Sequence, residues 1–186
     1  MDAKAIYDLC LAEHGEEAVL AFNDGTGDDK DAWIQVEPYS IEEVCRTLKT
    51  HEDLHMDYLE CLCGTDYPDD NQIQVVYHVY SYALKHRIVL KVFLDRDDPA
   101  LPTVNDVWRA ANWQERECFD LLGVLFDGHP DLRRLLMPDD WEGHPMRKDY
   151  EEPDFYHGIP TIRPNPVELF AIKLPDKKKD ASADAS

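Results

Sequence analysis

The spacing of apolar positions changes along the chain, and the changes divide it into elements. Residues 3 to 14 place Ile6, Leu9 and Cys10 on one face of a short helix. Residues 17 to 22 read as a strand, and the polar run from Asn23 to Asp29 as a loop. Residues 32 to 37 alternate, with Trp33 set against Ile34 and Val36, and Pro38 ends that strand. Ser40-Ile41-Glu42-Glu43 has the form of a capping box. It predicts a helix to about Lys49 that buries Ile41, Val44, Cys45 and Leu48. Three strands follow at 54 to 63, 72 to 81 and 84 to 94, with a turn at 64 to 70 between the first two. Tyr77, Val79 and Ser81 alternate against His78 and Tyr80, as in a sheet with helices on one face.

Asp97-Asp98-Pro99 and Leu101-Pro102 predict a linker. Thr103, with Asp106 at the third helical position, is expected to cap the longest helix. Its buried face would carry Val104, Val107, Trp108, Ala111, Cys118, Leu121 and Leu122, and Gly123 would stop it. Residues 124 to 126 and 132 to 137 read as short extended pieces around a turn at 127 to 130. Turn residues dominate after Pro138, and the Gly and Pro between 143 and 166 predict an irregular arm. The order αββαβββα points to an α+β fold: a two-layer mixed sheet with helices on one face, plus an extended irregular C-terminal arm. The expected division is a domain at 1–142, a docking arm at 143–174 and a disordered tail at 175–186.

Composition narrows the function classes. The 186 residues are 44% hydrophobic, enough for a real core. A net charge of −20 argues against nucleic acid or an anionic lipid surface as direct partners. No stretch approaches the roughly 20 apolar residues of a membrane span. Met1-Asp2-Ala3-Lys4 does not begin a basic-then-apolar leader, so no signal peptide is expected. Five Cys without a disulfide-like spacing suggest a reducing compartment. Cys61 and Cys63 would point the same way from a strand and pack on a sheet face.

Residues 113 to 150 concentrate charge, aromatic rings and Gly-His-Pro turns. Glu115, Arg116 and Glu117 are consecutive on a helix, so they point about 100° apart and cannot all face solvent equally. Glu117 and Asp120 are helical neighbours. Paired carboxylates can do acid–base work only in a pocket with shifted pKa values. The plainer reading has these acids pair with Arg133, Arg134 or Arg147 and pin the arm to the helix. His129 and His144 each sit in a Gly-His-Pro turn. A free-standing metal-dependent hydrolase would use them as ligands, but their spacing lacks supporting Cys, and turn-fixing hydrogen bonds fit better. The Arg133-Arg134 and Arg147-Lys148 islands lie among Trp113, Trp141, Asp149 and Tyr150, a mixture typical of protein interfaces. Gly-rich phosphate loops, nucleophile elbows, HExxH and CxxC are missing from the sequence.

The same segment resembles the 30-kDa-type (C-type) subunit of respiratory complex I, the proton-pumping NADH:quinone oxidoreductase. Glu115-Arg116-Glu117, Asp120, Leu121-Leu122, His129, Arg133 and Leu135-Leu136 meet the family signature in full. The likeness extends over roughly residues 30 to 156, through Gly64-Thr65-Asp66-Tyr67-Pro68, Tyr77-His78-Val79-Tyr80-Ser81, Ala111-Asn112-Trp113, Trp141-Glu142-Gly143-His144-Pro145 and Arg147-Lys148-Asp149-Tyr150. Met146 stands where Leu is commoner. The resemblance implies a non-catalytic peripheral-arm subunit on the cytoplasmic face of the bacterial inner membrane. Its neighbours would be the quinone-site (D-type) subunit and the cluster-bearing (B-type) subunit. No cofactor belongs to this chain on that reading; FMN and iron–sulfur clusters lie in partner subunits. Similar subunits occur in ferredoxin-driven NDH complexes, F420-dependent dehydrogenases and membrane-bound hydrogenases, which remain alternatives.

Overall fold

The structure, a computed structural model, describes residues 1–26 and 30–161. The tail expected at 175–186, and the arm beyond 161, lie outside the described residues. The chain divides into two units, Met1–Tyr150 and Glu151–Ser186.

In the first unit, β1 (Val19–Asn23), β2 (Trp33–Val36), β3 (Tyr58–Tyr67), β4 (Gln72–Ser81) and β5 (His86–Asp95) form one sheet in the order β1-β2-β5-β4-β3. The β2–β5 pair is parallel and the others antiparallel, so the sheet is mixed. Ile34 and Val36, Leu59 and Leu62, Ile73 to Val79 at alternate positions, and Ile88, Leu90 and Val92 all face one core. Helices α1 (Ala3–His14), α2 (Ile41–Thr50) and α3 (Ala111–Leu122) contribute Ile6 and Cys10, Val44 and Leu48, and Cys118 and Leu122 to the same core. The fold is thus α+β in two layers, with the helical layer on one face. His78 and Tyr80, on the other face, are only half-buried. A short parallel pair, β6 (Ala100–Pro102) with β7 (Leu125–Asp127), occupies ground read from sequence as linker and loose extended chain. The second unit holds a small hairpin, β8 (Phe155–Tyr156) with β9 (Ile159–Pro160). Both central residues of its turn, His157 and Gly158, have positive φ, as a two-residue primed turn requires.

Several boundaries differ from the sequence reading, each for a tertiary reason. The long helix begins at Ala111, not Thr103. Glu115 accepts the backbone N–H of Val104 at 2.8 Å. On one continuous helix that rise would be about 16 Å at 1.5 Å per residue, so the chain must break between them. It does so in turns at 104–110, closed by Trp108 N–H to Val104 C=O and by the Trp108 indole donating to Met56 C=O at 2.9 Å. The apolar positions Val104, Val107 and Trp108 are buried as expected, but by a turn rather than a helix.

The third strand starts later and runs through the expected turn at 64 to 67. Leu54 and Met56 are buried because they close over the end of α2, where Met56 N–H donates to Leu48 C=O at 2.9 Å. Gly64 is a packing residue there: a Cβ on it would lie 2.3 Å from Leu122 Cδ1. Ser40 does not cap α2 through its side chain. It lies in a short 3-10 turn, and Glu37 receives its N–H. His86, on β5, is buried, with Nε2 2.7 Å from Leu54 C=O. Residues 132–137 form no strand.

Candidate functional site

The C-terminal end of an α-helix leaves its last four carbonyls without partners inside the helix. In α3 all four are satisfied by the chain that follows. Gly123, in the left-handed conformation at φ 80°, donates its N–H to Phe119 C=O. His144 Nδ1 lies 3.0 Å from Asp120 C=O, so that nitrogen carries the proton. Met146 N–H donates to Leu121 C=O at 3.0 Å, and Arg147 Nε to Leu122 C=O at 2.7 Å. The guanidinium also complements the negative end of the helix. Gly123 permits this: a Cβ there would sit 2.6 Å from His144 Nε2.

The helix side chains grip the same stretch of chain. Asp120 is fully buried and accepts three successive backbone N–H groups, from Leu135, Leu136 and Met137, and Arg134 Nη1 at 2.9 Å. Burial pushes its pKa up, but the three N–H groups and Arg134 together pull harder, and the net shift is downward. Arg134 also donates to Trp141 C=O and Gly143 C=O. Arg116, buried on the next face, donates to the carbonyls of Arg133 and Arg134, and its guanidinium lies 5.3 Å from the centre of the exposed Trp113 ring. Glu115 takes the Thr103 hydroxyl and Val104 N–H. His129 Nε2 lies 3.1 Å from Asn112 C=O, while Nδ1 receives Asp131 N–H. That fixes the neutral Nε2–H tautomer. Trp141 donates its indole N–H to Tyr150 Oη at 2.9 Å.

A second tie joins β3 to residues 148 and 149. Buried Asp66 accepts from Arg96 Nε and Nη2, at 2.7 and 3.1 Å, and from Lys148 N–H at 2.7 Å; Arg96 also bonds Asp149. Arg96 holds the Asp66 carboxyl below the usual range, against the effect of burial. Sequence reasoning missed Arg96 and assigned Asp66 to a turn. The one available signal was a lone Arg in the acidic run Asp95 to Asp98.

Of the expected carboxylate–arginine pairs, Asp120–Arg134 forms. Glu115 is held by Thr103 and Val104, Arg133 pairs with Asp131, and Arg147 takes a carbonyl. Glu117 points out to solvent. Among the described residues, no three His, Cys, Asp or Glu side chains converge to hold a metal.

Residues 34–156 match the family described as the respiratory-chain NADH dehydrogenase 30 Kd subunit. The chain belongs to this family. It is similar to the NADH-quinone oxidoreductase C-type subunit of Chlorobium phaeobacteroides, at 41% identity over 84% of this chain and 93% of that one. The corresponding C-type subunit of Roseiflexus castenholzii is 44% identical over 72% of this chain and 75% of that one. Among solved structures, a trypsin-resistant fragment of Nqo5 superposes with a TM-score of 0.57 at 27% identity, covering 71% of this chain and all (100%) of that one. An archaeal membrane-bound sulfane sulfur reductase complex shares the fold, with a TM-score of 0.65 at 22% identity, over 97% of this chain and 98% of that one.

In this 30 Kd-type chain the most perturbed acid is Glu115. Burial pushes its carboxyl up to about 7, against the pull of the Thr103 and Val104 hydrogen bonds. Between 4.5, the ordinary value, and about 7, the folded chain holds a proton that the unfolded chain has released. Stability from this group is therefore complete below that window and lost as pH rises through it. Relative to Glu115→Gln, the wild type should lose about 3 kcal/mol between roughly pH 4 and pH 8, at 1.36 kcal/mol per pKa unit. Urea melts of both chains across that range test this; a constant difference would refute it.

Proposed function

We propose that this chain is a structural subunit of the peripheral arm of an NADH:quinone oxidoreductase, and that it supplies no catalytic side chain. It would dock the quinone-site and cluster-bearing subunits on the cytoplasmic face of the membrane. FMN and iron–sulfur clusters would belong to those and other partners. Attachment to the membrane would be through the complex, since among the described residues no helix is long and apolar enough to cross a bilayer.

What carries the reading, beside family membership, is the use to which the signature is put. Glu115, Arg116, Asp120, His144 and Arg147 all hydrogen-bond the chain's own backbone. Side chains committed in this way hold a surface in shape, which supports a structural role. The result is a rigid irregular surface, residues 129–150, which no regular element could present. The test is affinity purification of the tagged chain from its native host. Quinone-site and cluster-bearing subunits are expected in stoichiometric amount, and their absence would overturn the proposal.

A further inference from the structure

Beside the clamp, between α3 and the outer part of β3, lies a groove of about 310 Å³. Leu121 and the exposed Met146 form apolar walls, and the exposed residues Cys61 and Cys63 lie along its β3 side. Two polar groups are left over within it. Gln114 Oε1 is buried and has no hydrogen-bond partner, an expensive state for an acceptor. Glu117 is exposed and, unlike the other acids of the signature, makes no hydrogen bond or ion pair among the described residues. Among the described residues the lining carries no Lys, Arg or His. The groove therefore offers apolar walls, an acceptor and a carboxylate, with no cationic side chain among its lining residues to pair with the carboxylate.

We propose that this groove is a docking site for a basic side chain of a neighbouring protein in the assembly. An Arg or Lys presented by a partner segment lays its aliphatic stem along Leu121 and Met146, places its cationic head against Glu117 and donates an N–H to Gln114 Oε1. Long cationic side chains bury their stems while the head keeps a polar partner, which is the combination this site supplies. Charge complementarity selects this occupant. A chain of net charge −20 associates best with basic partners, and an acidic site repels an anionic headgroup. The chain's own second copy is a poor occupant for the same reason. The inference rests on the reading of the chain as a subunit of a larger assembly.

Cys61 and Cys63 are native reporters of the groove, since the other three thiols are buried. The assembled complex and the free full-length chain are treated with N-ethylmaleimide, and labelling at each thiol is read by mass spectrometry. Both thiols are expected to label in the free chain, Cys63 more slowly because burial pushes its thiol up to about 11, and each to be protected about tenfold or more in the complex, as for a desolvated contact. Glu117→Lys is expected to lower recovery of the chain in the complex about tenfold, the effect of setting like charges against each other at a contact. Its thermal melt should be unchanged, because Glu117 is exposed and makes no hydrogen bond or ion pair among the described residues. Carbodiimide should join Glu117 to a partner lysine if the cation is Lys.

Equal labelling in free and assembled chain overturns the proposal. Protection without any effect of Glu117→Lys also overturns it, pointing to an apolar occupant, and a cross-link between two copies of this chain does so too. A chain that purifies with no partner sinks the proposed function itself, a distinct outcome from a purified complex whose groove is open.

Discussion

Replacing Asp120 with alanine is expected to destabilise the chain by about 3–5 kcal/mol, the usual cost of removing one partner from a buried ion pair. The substitution strands the N–H groups of Leu135, Leu136 and Met137 at once, and leaves Arg134 Nη1 only the Asp120 C=O at 3.4 Å. Each lies in a segment with little regular structure of its own to take over the bond. The effect should therefore be local before it is global. Amide exchange at 135–137 should accelerate well before that in β4 and β5, and Arg134 should release Trp141 C=O and Gly143 C=O. Asp120→Asn separates shape from charge. It keeps the volume but offers one acceptor in place of two, and should recover only part of the loss. Denaturant melts with residue-resolved exchange are the measurement; a loss under about 1 kcal/mol, or uniform exchange across the chain, would contradict the role given to Asp120.

Gly123→Ala is expected to cost about 2–4 kcal/mol. Two terms add. A residue with a Cβ pays roughly 1–2 kcal/mol in the left-handed conformation that Gly123 holds at φ 80°. The new methyl would also lie 2.6 Å from His144 Nε2 and 3.1 Å from Arg147 Nη2. Those side chains must retreat and give up the carbonyls of Asp120 and Leu122. The double variant Gly123→Ala, His144→Ala tests the second term, because removing the imidazole relieves the overlap. A less than additive loss is expected, and strict additivity would mean that the strain is in the backbone alone.

The pair also marks how far the sequence could be read. Gly123 was legible as a helix stop because a C-terminal glycine acts on its own four neighbours. The sheet face was legible at Tyr77, Val79 and Ser81 because alternation is local. Asp120 was visible as a member of a signature, but what it binds was not, since its partners are backbone groups 15 to 17 residues away. Thr103 misled for the same reason. It has the identity of a helix cap and the following residues have helical spacing, yet Glu115 draws Thr103 and Val104 back and stops the helix short. Gly64 looked like a turn, and only Leu122 against it shows that it is a place where strand and helix nearly touch. Arg96 gave almost no local sign, because its carboxylate partner Asp66 lies 30 residues back, across the sheet.

The sequence by itself determined the family, the α+β class, the apolar face of each element and the end of α3. These follow from short-range periodicity, local backbone preference and an unbroken signature. The tertiary structure alone decided where α3 starts, which base meets which acid, and that the carbonyls of its last turn are capped by residues 144–147. It also left Gln114 Oε1 and Glu117 unspent beside a groove. The physical reason is that a hydrogen bond is set by distance and angle in space. Asp66 and Lys148 are 82 residues apart along the chain and 2.7 Å apart in the fold, and a local pattern carries no information about that approach.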